Sequence, residues 1–301
     1  MIDEFLTYMS AEKGRSELTL RAYRTDLEQW RDFATAGGEE PFRPMTTTPA
    51  QLRAWIASLA KSGITTTSLR RKAVALRTFF RYLMSRHGLQ GNPALDLNPG
   101  RMPRRLPVYV KTAETQAMLN EEIDMTDFTQ VRDRLVVDML YSTGMRCSEL
   151  MGLSDGEVDT GKCELKVHGK RNKDRIIPFG RELSIMIETY RRLRRDQIGN
   201  CNFTDPFFVR TNGRGLYRKL IYDIVHTAMS GRVHASRMSP HVLRHSFASD
   251  MLNSGASLNA VQQLLGHSSL ATTQIYTHIT FRELQQNYLT AHPRAQKSRR
   301  T

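Results

Sequence analysis

The chain has 301 residues, which is enough for two domains of ordinary size, each with its own buried core. Charged residues make up 25 % and hydrophobic residues 40 %, the composition of a soluble globular protein. The 44 lysines and arginines outnumber the 30 acidic residues and give a net charge of +14. We therefore expect a polyanionic partner, either nucleic acid or an anionic membrane face.

Membrane insertion and disulfide cross-linking are both disfavoured by the sequence. No apolar run approaches the length of a transmembrane helix, and the acidic start MIDEFLTYMS is unlike a signal peptide. Cys147, Cys163 and Cys201 are far apart and odd in number, which is typical of reduced thiols. We expect a cytoplasmic, nucleoid-associated protein without a membrane partner.

Four helices are predicted within the first hundred residues. The first ends at Gly14, and the second stops at Gly37-Gly38. The third begins at Thr48-Pro49, a favourable pair of N-cap and first helical residue, and ends at Gly63. The fourth is predicted over 64–88, with a core face made of Leu69, Ala73, Leu76, Phe80 and Leu83.

Three arginines follow a second face of this fourth helix. Arg70, Arg77 and Arg81 lie within about 20° of a common direction and roughly 100° from the core face, at the 100° per residue of an ideal helix. No acidic residue is interleaved with them, which favours contact with DNA phosphates or a groove. The alternative is an ordinary solvated basic face.

Residues 91–107, GNPALDLNPGRMPRRLP, predict a linker because proline removes backbone donors and disfavours helix before it. We therefore predict an N-terminal helical domain over 1–97, a linker over 98–107 and a second domain over 108–301. In the second domain, a helix through 131–141 is followed by a β-hairpin over 163–179. The predicted class is mainly α (α+β) with a small antiparallel sheet.

The segment SPHVLRHSFASDMLNSG predicts a helix that begins at Ser239 and Pro240. His241, Arg244 and His245 then share one face near its positive end, where an anion binds favourably. A zinc helix is disfavoured because Val242 stands where such a site needs glutamate and no third ligand is evident. The other alternative is a pair of core histidines with a surface arginine.

Three further motifs are ambiguous when each is taken alone. In TGMRCSEL, Arg146 could form an ordinary salt bridge with Glu149. In HGKRNKDR, Lys170 could be a turn lysine. In LLGHSSLATTQIYTHI, Gly266 ends a helix that begins near Ser257, and His267 and Tyr276 follow.

Together these motifs form the pattern R…K…HxxR…GH…Y, carried by Arg146, Lys170, His241, Arg244, His267 and Tyr276. The pattern resembles the tyrosine recombinase (phage integrase) family. The segments STGMRCSEL, GKRNKDRIIP, SPHVLRHSFAS and LLGHSSLATTQIYTH are most similar to the bacterial Xer recombinases of the XerC and XerD type. Arg171 departs from the family, in which glycine is commoner at that position. The lysine that enters the site could thus be Lys170 or Lys173, and the spacing from Arg146 favours Lys170.

The resemblance implies an N-terminal SAM-like core-binding domain and a catalytic domain that cuts and rejoins DNA through a 3′-phosphotyrosine on Tyr276. It implies that the two arginines bind the phosphate, that Lys170 protonates the departing 5′ oxygen, and that His241 assists proton loss from the tyrosine. His267 would donate a hydrogen bond to the phosphate, and Glu149 would brace the arginines. The arginines would replace metal ions, so no metal or other cofactor is expected.

The implied partners are double-stranded DNA with specific recombination sites and three further subunits. The subunits form a homo- or hetero-tetramer on two sites, with a second recombinase and a DNA translocase activator as candidate partners. Leu284, Tyr288 and Leu289 predict a C-terminal helix that packs on its own domain or is donated to a neighbour. The expected role is Xer-like resolution of chromosome or plasmid dimers, in chromosome partition and cell division. The alternatives are a mobile-element integrase, a DNA invertase, a type IB topoisomerase-like enzyme and a non-cleaving architectural protein.

Overall fold

The structure is a computed structural model that describes residues 1–37, 41–100, 109–169, 174–200, 202, 204–266 and 281–296. The chain divides into two compact units, Met1–Arg105 and Leu106–Thr301. Within the described residues, none of the helices combines the length and the apolar character that crossing a membrane requires.

The N-terminal unit contains the four predicted helices. They are α1 (Ile2–Ala11), α2 (Glu17–Ala34), α3 (Pro49–Lys61) and α4 (Thr66–His87). The Thr48 side chain caps α3 as expected, and Gly88 ends α4 in the left-handed conformation that glycine adopts readily. All five residues of the predicted α4 core face are buried, and all except Leu69 share one hydrophobic core with Trp30 and Trp55.

The second unit is mainly helical. Its helices are α5 (Thr112–Leu119), α6 (Phe128–Thr143), α7 (Cys147–Gly152), α8 (Arg181–Ile198), α9 (Arg218–Met229), α10 (Pro240–Asn253), α11 (Leu258–Leu265), α12 (Phe281–Ala291) and α13 (Pro293–Gln296). The helix α6 is buried around nearly its whole circumference because α8, α9 and α10 pack against it. The predicted starts of α10 and α11 are confirmed, although the Ser239 side chain makes no capping bond.

A three-stranded antiparallel sheet flanks these helices. The strands are β1 (Val158–Asp159), β2 (Glu164–His168) and β3 (Asp174–Pro178), in the order β1-β2-β3. The predicted hairpin is therefore confirmed in β2 and β3, whereas β1 was not predicted. The register pairs Val167 with Arg175 and His168 with Asp174. The side chain of Arg175 therefore starts from the end of β3 that is nearest to the turn.

The helix α6 ends where it meets α10. Gly144 follows α6 with φ of +60°, and a Cβ atom at this position would lie 2.4 Å from Cδ1 of Phe247 on α10. Glycine is required here both for the left-handed backbone and for the close approach. The two helices are thereby held together just before Arg146 and just after Arg244 in the sequence.

The C-terminal segment packs on its own domain in this single chain. Leu284 and Tyr288 are buried in the hydrophobic core of the second unit, whereas Leu289 is exposed. The Tyr288 and His292 rings stack with their centroids 5.0 Å apart. Burial, followed by the Arg294 charge, lowers the pKa of His292 to about 3, so this imidazole is neutral at physiological pH.

Candidate active site

The short helix α7 presents Arg146 at its start. The Arg146 backbone N–H donates to Oε2 of Glu149 at 2.8 Å, and its Nη1 donates to Oε1 at 2.6 Å. The remaining Nη2 donates to the carbonyl of Gly266 at 3.3 Å, and the side chain is 35 % exposed. The salt bridge expected as the simple alternative is therefore present, and it holds the guanidinium at the end of α11.

Arg244 lies on α10 and is buried, with a relative exposure of 9 %. Its Nη1 donates to the Gly144 carbonyl at 2.5 Å and its Nη2 to the Leu265 carbonyl at 2.7 Å. Burial lowers the pKa of Arg244 to about 10, and the neighbouring Arg146 charge acts in the same direction. An anion bound beside these two cations would oppose this lowering of the pKa, because it stabilises the charged guanidinium groups.

Glu149 carries the negative charge between the arginines. Burial by itself raises the pKa of the Glu149 carboxyl, but hydrogen bonds from Arg175 and Arg146 outweigh it, and the pKa lies below its usual value. Arg175, from β3, donates through Nη1 to Oε1 at 3.0 Å and through Nη2 to Oε2 at 2.8 Å. Sequence reasoning assigned no role to Arg175, because only the fold brings β3 against α7.

His241 occupies the first turn of α10, one turn before Arg244 on the same face, and its side chain is exposed. His245 is exposed as well. The alternative interpretation, core histidines with a surface arginine, is therefore wrong, because burial is reversed between the two residue types. His241 is available to a bound molecule, whereas Arg244 is held by the protein.

Three predicted site residues, Lys170, His267 and Tyr276, lie outside the described residues. The described chain stops immediately before two of them. Gly266 ends α11 in the left-handed conformation and precedes His267 in the sequence. His168 ends β2 two positions before Lys170, and its Nδ1 lies 2.7 Å from Oδ1 of Asp174 across the strand pair.

The three arginines predicted to contact DNA differ in their surroundings. Arg77 is half-buried, and its guanidinium donates to the backbone carbonyls of Ala94, at 3.2 Å, and of Leu97. Arg70 is exposed and donates twice to the Gly100 carbonyl, at 3.2 and 2.8 Å. Arg81 is exposed. Arg77 therefore holds the segment after α4, a use that helical periodicity does not reveal.

Comparison with known protein families identifies both units. The model of the "Phage integrase family" matches residues 109–283, and the model "Phage integrase, N-terminal SAM-like domain" matches residues 2–87. The chain is 35 % identical to the tyrosine recombinase XerD of Yersinia pestis, over 98 % of both chains. It is 34 % identical to the tyrosine recombinase XerC of Chlorobaculum tepidum, covering 98 % of this chain and 94 % of that protein.

Two solved structures share this fold at low sequence identity. One is the XerH site-specific recombinase bound to its difH substrate, with a TM-score of 0.65 and 20 % identity over 95 % of this chain and 83 % of that one. The other is the Tn1549 transposon integrase in complex with transposon right end DNA, with a TM-score of 0.69 and 17 % identity over 95 % and 97 %.

The chain therefore belongs to the phage integrase family, whose members are the tyrosine recombinases. Within that family it is a tyrosine-type site-specific recombinase of the Xer type.

Proposed function

We propose that this protein cuts and rejoins DNA at specific sites through a covalent 3′-phosphotyrosine on Tyr276. The observation that carries this proposal is the pairing of Arg146 and Arg244, which donate to the adjacent carbonyls of Gly266 and Leu265. Two cations drawn from distant parts of the chain, with Glu149 as their shared counter-charge, form a site suited to one phosphodiester.

The arginines would act on the charge that develops during attack. Negative charge grows on the two non-bridging oxygens of the phosphate as the new bond forms. Arg146 and Arg244 would stabilise that charge more strongly in the transition state than in the ground state, which accelerates the chemical step. Arg244 is fixed by two backbone carbonyls, so it would need little reorganisation when DNA binds.

The remaining residues would move protons. The phenolic oxygen of Tyr276 would attack phosphorus, and the bond from phosphorus to the 5′ oxygen would break. His241 would assist loss of the phenolic proton, and Lys170 would supply a proton to the departing 5′ oxygen. His267 would donate a hydrogen bond to the phosphate. The phosphotyrosyl ester conserves the bond until a 5′ hydroxyl from another strand attacks it and releases the tyrosine.

We propose resolution of chromosome or plasmid dimers as the biological role, because XerD and XerC are the relatives at about 35 % identity over nearly the whole chain. This role calls for a tetramer on two DNA sites, with a second recombinase and a DNA translocase as candidate partners. An integrase or invertase role is the second candidate, supported by the Tn1549 transposon integrase among the structural neighbours.

The nucleophile can be tested with a nicked DNA duplex from which a short product strand diffuses away, so that any covalent adduct is trapped. The duplex would carry a site selected from random sequences by binding to the purified protein. We expect the wild type and Tyr217→Phe, a control at an exposed tyrosine, to form the adduct. We expect Tyr276→Phe to form none.

The adduct assay, together with DNA-binding and plasmid-relaxation assays, separates the alternatives. An undiminished adduct with Tyr276→Phe would refute the assignment of the nucleophile. Site-specific binding without an adduct from the wild type would favour the non-cleaving architectural protein. Relaxation of a supercoiled plasmid that lacks the selected site would favour a topoisomerase-like activity.

A further inference from the structure

Three arginines converge on three consecutive backbone carbonyls at the end of α11. Nε of Arg175 donates to Leu264 at 2.7 Å, next to the bonds that Arg244 and Arg146 make with the carbonyls of residues 265 and 266. The C-terminal end of a helix carries partial negative charge, which favours cations there. The end of α11 and the Glu149 carboxylate thus together neutralise three guanidinium groups.

Arg175 differs from the other two arginines because all three of its guanidinium nitrogens donate to protein groups. Its Nε serves Leu264 and both terminal nitrogens serve the Glu149 carboxylate. The side chain is only 12 % exposed. Its Nη1 lies 3.0 Å from the position that a Cβ atom on Gly266 would occupy. A phosphate would find few donors left on this guanidinium.

Glu149 is the point at which Arg175 acts on Arg146. The carboxylate accepts bonds from Arg175 and from both the backbone and the side chain of Arg146. The fork of Arg175 fixes the orientation of the carboxylate, and the carboxylate in turn fixes the Arg146 guanidinium. The same guanidinium holds the end of α11, directly before His267.

We propose that Arg175 is a positioning residue for strand cleavage, which locks Glu149 to the end of α11 and thereby aims Arg146 at the scissile phosphate. This inference rests on the proposed function of Arg146 as a phosphate ligand. Lysine at this position keeps the charge but replaces the bidentate fork and the Nε bond with one compact ammonium group. Arg175→Lys therefore misaligns Arg146 without removing a cation.

The test compares two versions of the nicked duplex in single-turnover cleavage by the full-length protein. One has an ordinary scissile phosphodiester, and the other has a neutral methylphosphonate, which lacks one of the charged oxygens that the arginine clamp serves. Arg175→Lys should slow cleavage of the phosphodiester about 100-fold, the loss expected for a misplacement of about 1 Å. The loss should shrink at least tenfold on the methylphosphonate, and the Kd for DNA should change less than threefold.

Arg191→Lys is the matched control. Arg191 is another half-buried arginine of the same unit, and it donates to the carbonyls of Asp155 and Val158. We expect this substitution to change cleavage of the two duplexes by the same small factor. Thermal denaturation of both variants reports whether either substitution simply unfolds the protein.

A second pair of variants avoids a buried carboxylate without a partner. Arg175→Gln is compared in the wild-type protein and in the Glu149→Gln variant. In the Glu149→Gln variant it should cost little additional activity, because Arg175 acts through the carboxylate that is already removed. Equal losses on both duplexes with Arg175→Lys, or fully additive losses in this pair, would overturn the inference. An absence of any adduct from the wild type would instead refute the proposed function, and this inference with it.

Discussion

Arg294 and Asp138 form a buried ion pair, with 2.7 Å between Nη2 and Oδ2, that ties the C-terminal segment to α6. Asp138 also accepts a hydrogen bond from Ser142 at 2.7 Å. The pair therefore fixes α13 at one defined position in the catalytic unit. A C-terminal segment donated to a neighbouring subunit would have to exchange this ion pair for an equivalent one on the partner.

Arg294→Met should destabilise the catalytic unit by about 3–5 kcal/mol, because it leaves Asp138 as a buried charge without its cation. The measurement is urea denaturation followed by circular dichroism. The chain has 2 tryptophans, Trp30 and Trp55, both in the N-terminal unit. The urea midpoint of the transition seen by tryptophan fluorescence should therefore be unchanged.

Glu12→Gln is the control for this prediction. It removes the ion pair of Arg86 with Glu12, whose side chains are about half exposed. Exposed pairs contribute about 0–1 kcal/mol. A loss below about 1 kcal/mol for Arg294→Met would show that the buried pair contributes no more than an exposed one.

Gly144→Ala should lower both stability and the rate of DNA cleavage, because its methyl group would overlap the Phe247 ring at 2.4 Å. Gly255→Ala is matched to it: Gly255 also has positive φ, +89°, but no atom lies within 4 Å of the added Cβ. Both changes cost about 1–2 kcal/mol for the left-handed backbone. We expect Gly144→Ala to cost about 1–3 kcal/mol more from overpacking.

Phe247→Leu should recover part of that additional loss by making room for the methyl group. Thermal denaturation and the adduct assay measure the two effects. Identical losses for the two alanine variants would exclude the close approach of α6 and α10 as the reason for glycine at position 144.

Arg77 and Arg81 should respond differently to substitution by alanine. Arg77→Ala removes the donor to the Ala94 and Leu97 carbonyls and should destabilise the N-terminal unit by about 1–3 kcal/mol, measured by tryptophan fluorescence. Arg81→Ala should leave that stability unchanged. If Arg81 contacts a phosphate, its loss should reduce the slope of log K for DNA against log salt by about one. An unchanged slope would remove Arg81 from the DNA contacts.

His168 should titrate above its ordinary pKa of about 6.5. The hydrogen bond with Asp174 and then the Glu157 charge raise the pKa of this imidazole, whereas Lys166 opposes them. Because the folded-state pKa is raised, the charged pairing stabilises the folded chain fully below the unfolded-state pKa. The contribution disappears as the pH rises through the folded-state value.

NMR titration of the His168 ring measures this pKa directly. Asp174→Asn should lower it, and Lys166→Met should raise it. A shift in the same direction in both variants would contradict the electrostatic cause. The pairing joins the ends of β2 and β3, so the hairpin should also loosen as the pH rises through the folded-state pKa of His168.

Sequence alone predicts the boundaries of many helices, because their signals are local. Thr48-Pro49, Gly88 and Gly266 each cap or end a helix through their own backbone preferences. The hairpin was predictable from alternation, whereas the two-residue β1 is too short to show a period.

The missed features depend on contacts between distant parts of the chain. Arg175 lies 26 residues from Glu149, and Arg294 lies 156 residues from Asp138. A turn-proximal arginine and a terminal arginine have no periodic signature of their own. Asp138 gave the one usable signal, since a carboxylate inside the apolar run of α6 requires a partner.

The acceptors at the end of α11 are main-chain oxygens, so no amino-acid replacement at positions 264–266 can delete them. Side-chain changes at Leu264 and Leu265 therefore leave the acceptors in place, whereas each cation can be lost by a single codon change. Gly266 is different, because a side chain there would strain the left-handed backbone and crowd Arg175. Engineering aimed at this centre can vary Leu264 and Leu265 for packing while keeping the guanidinium cluster.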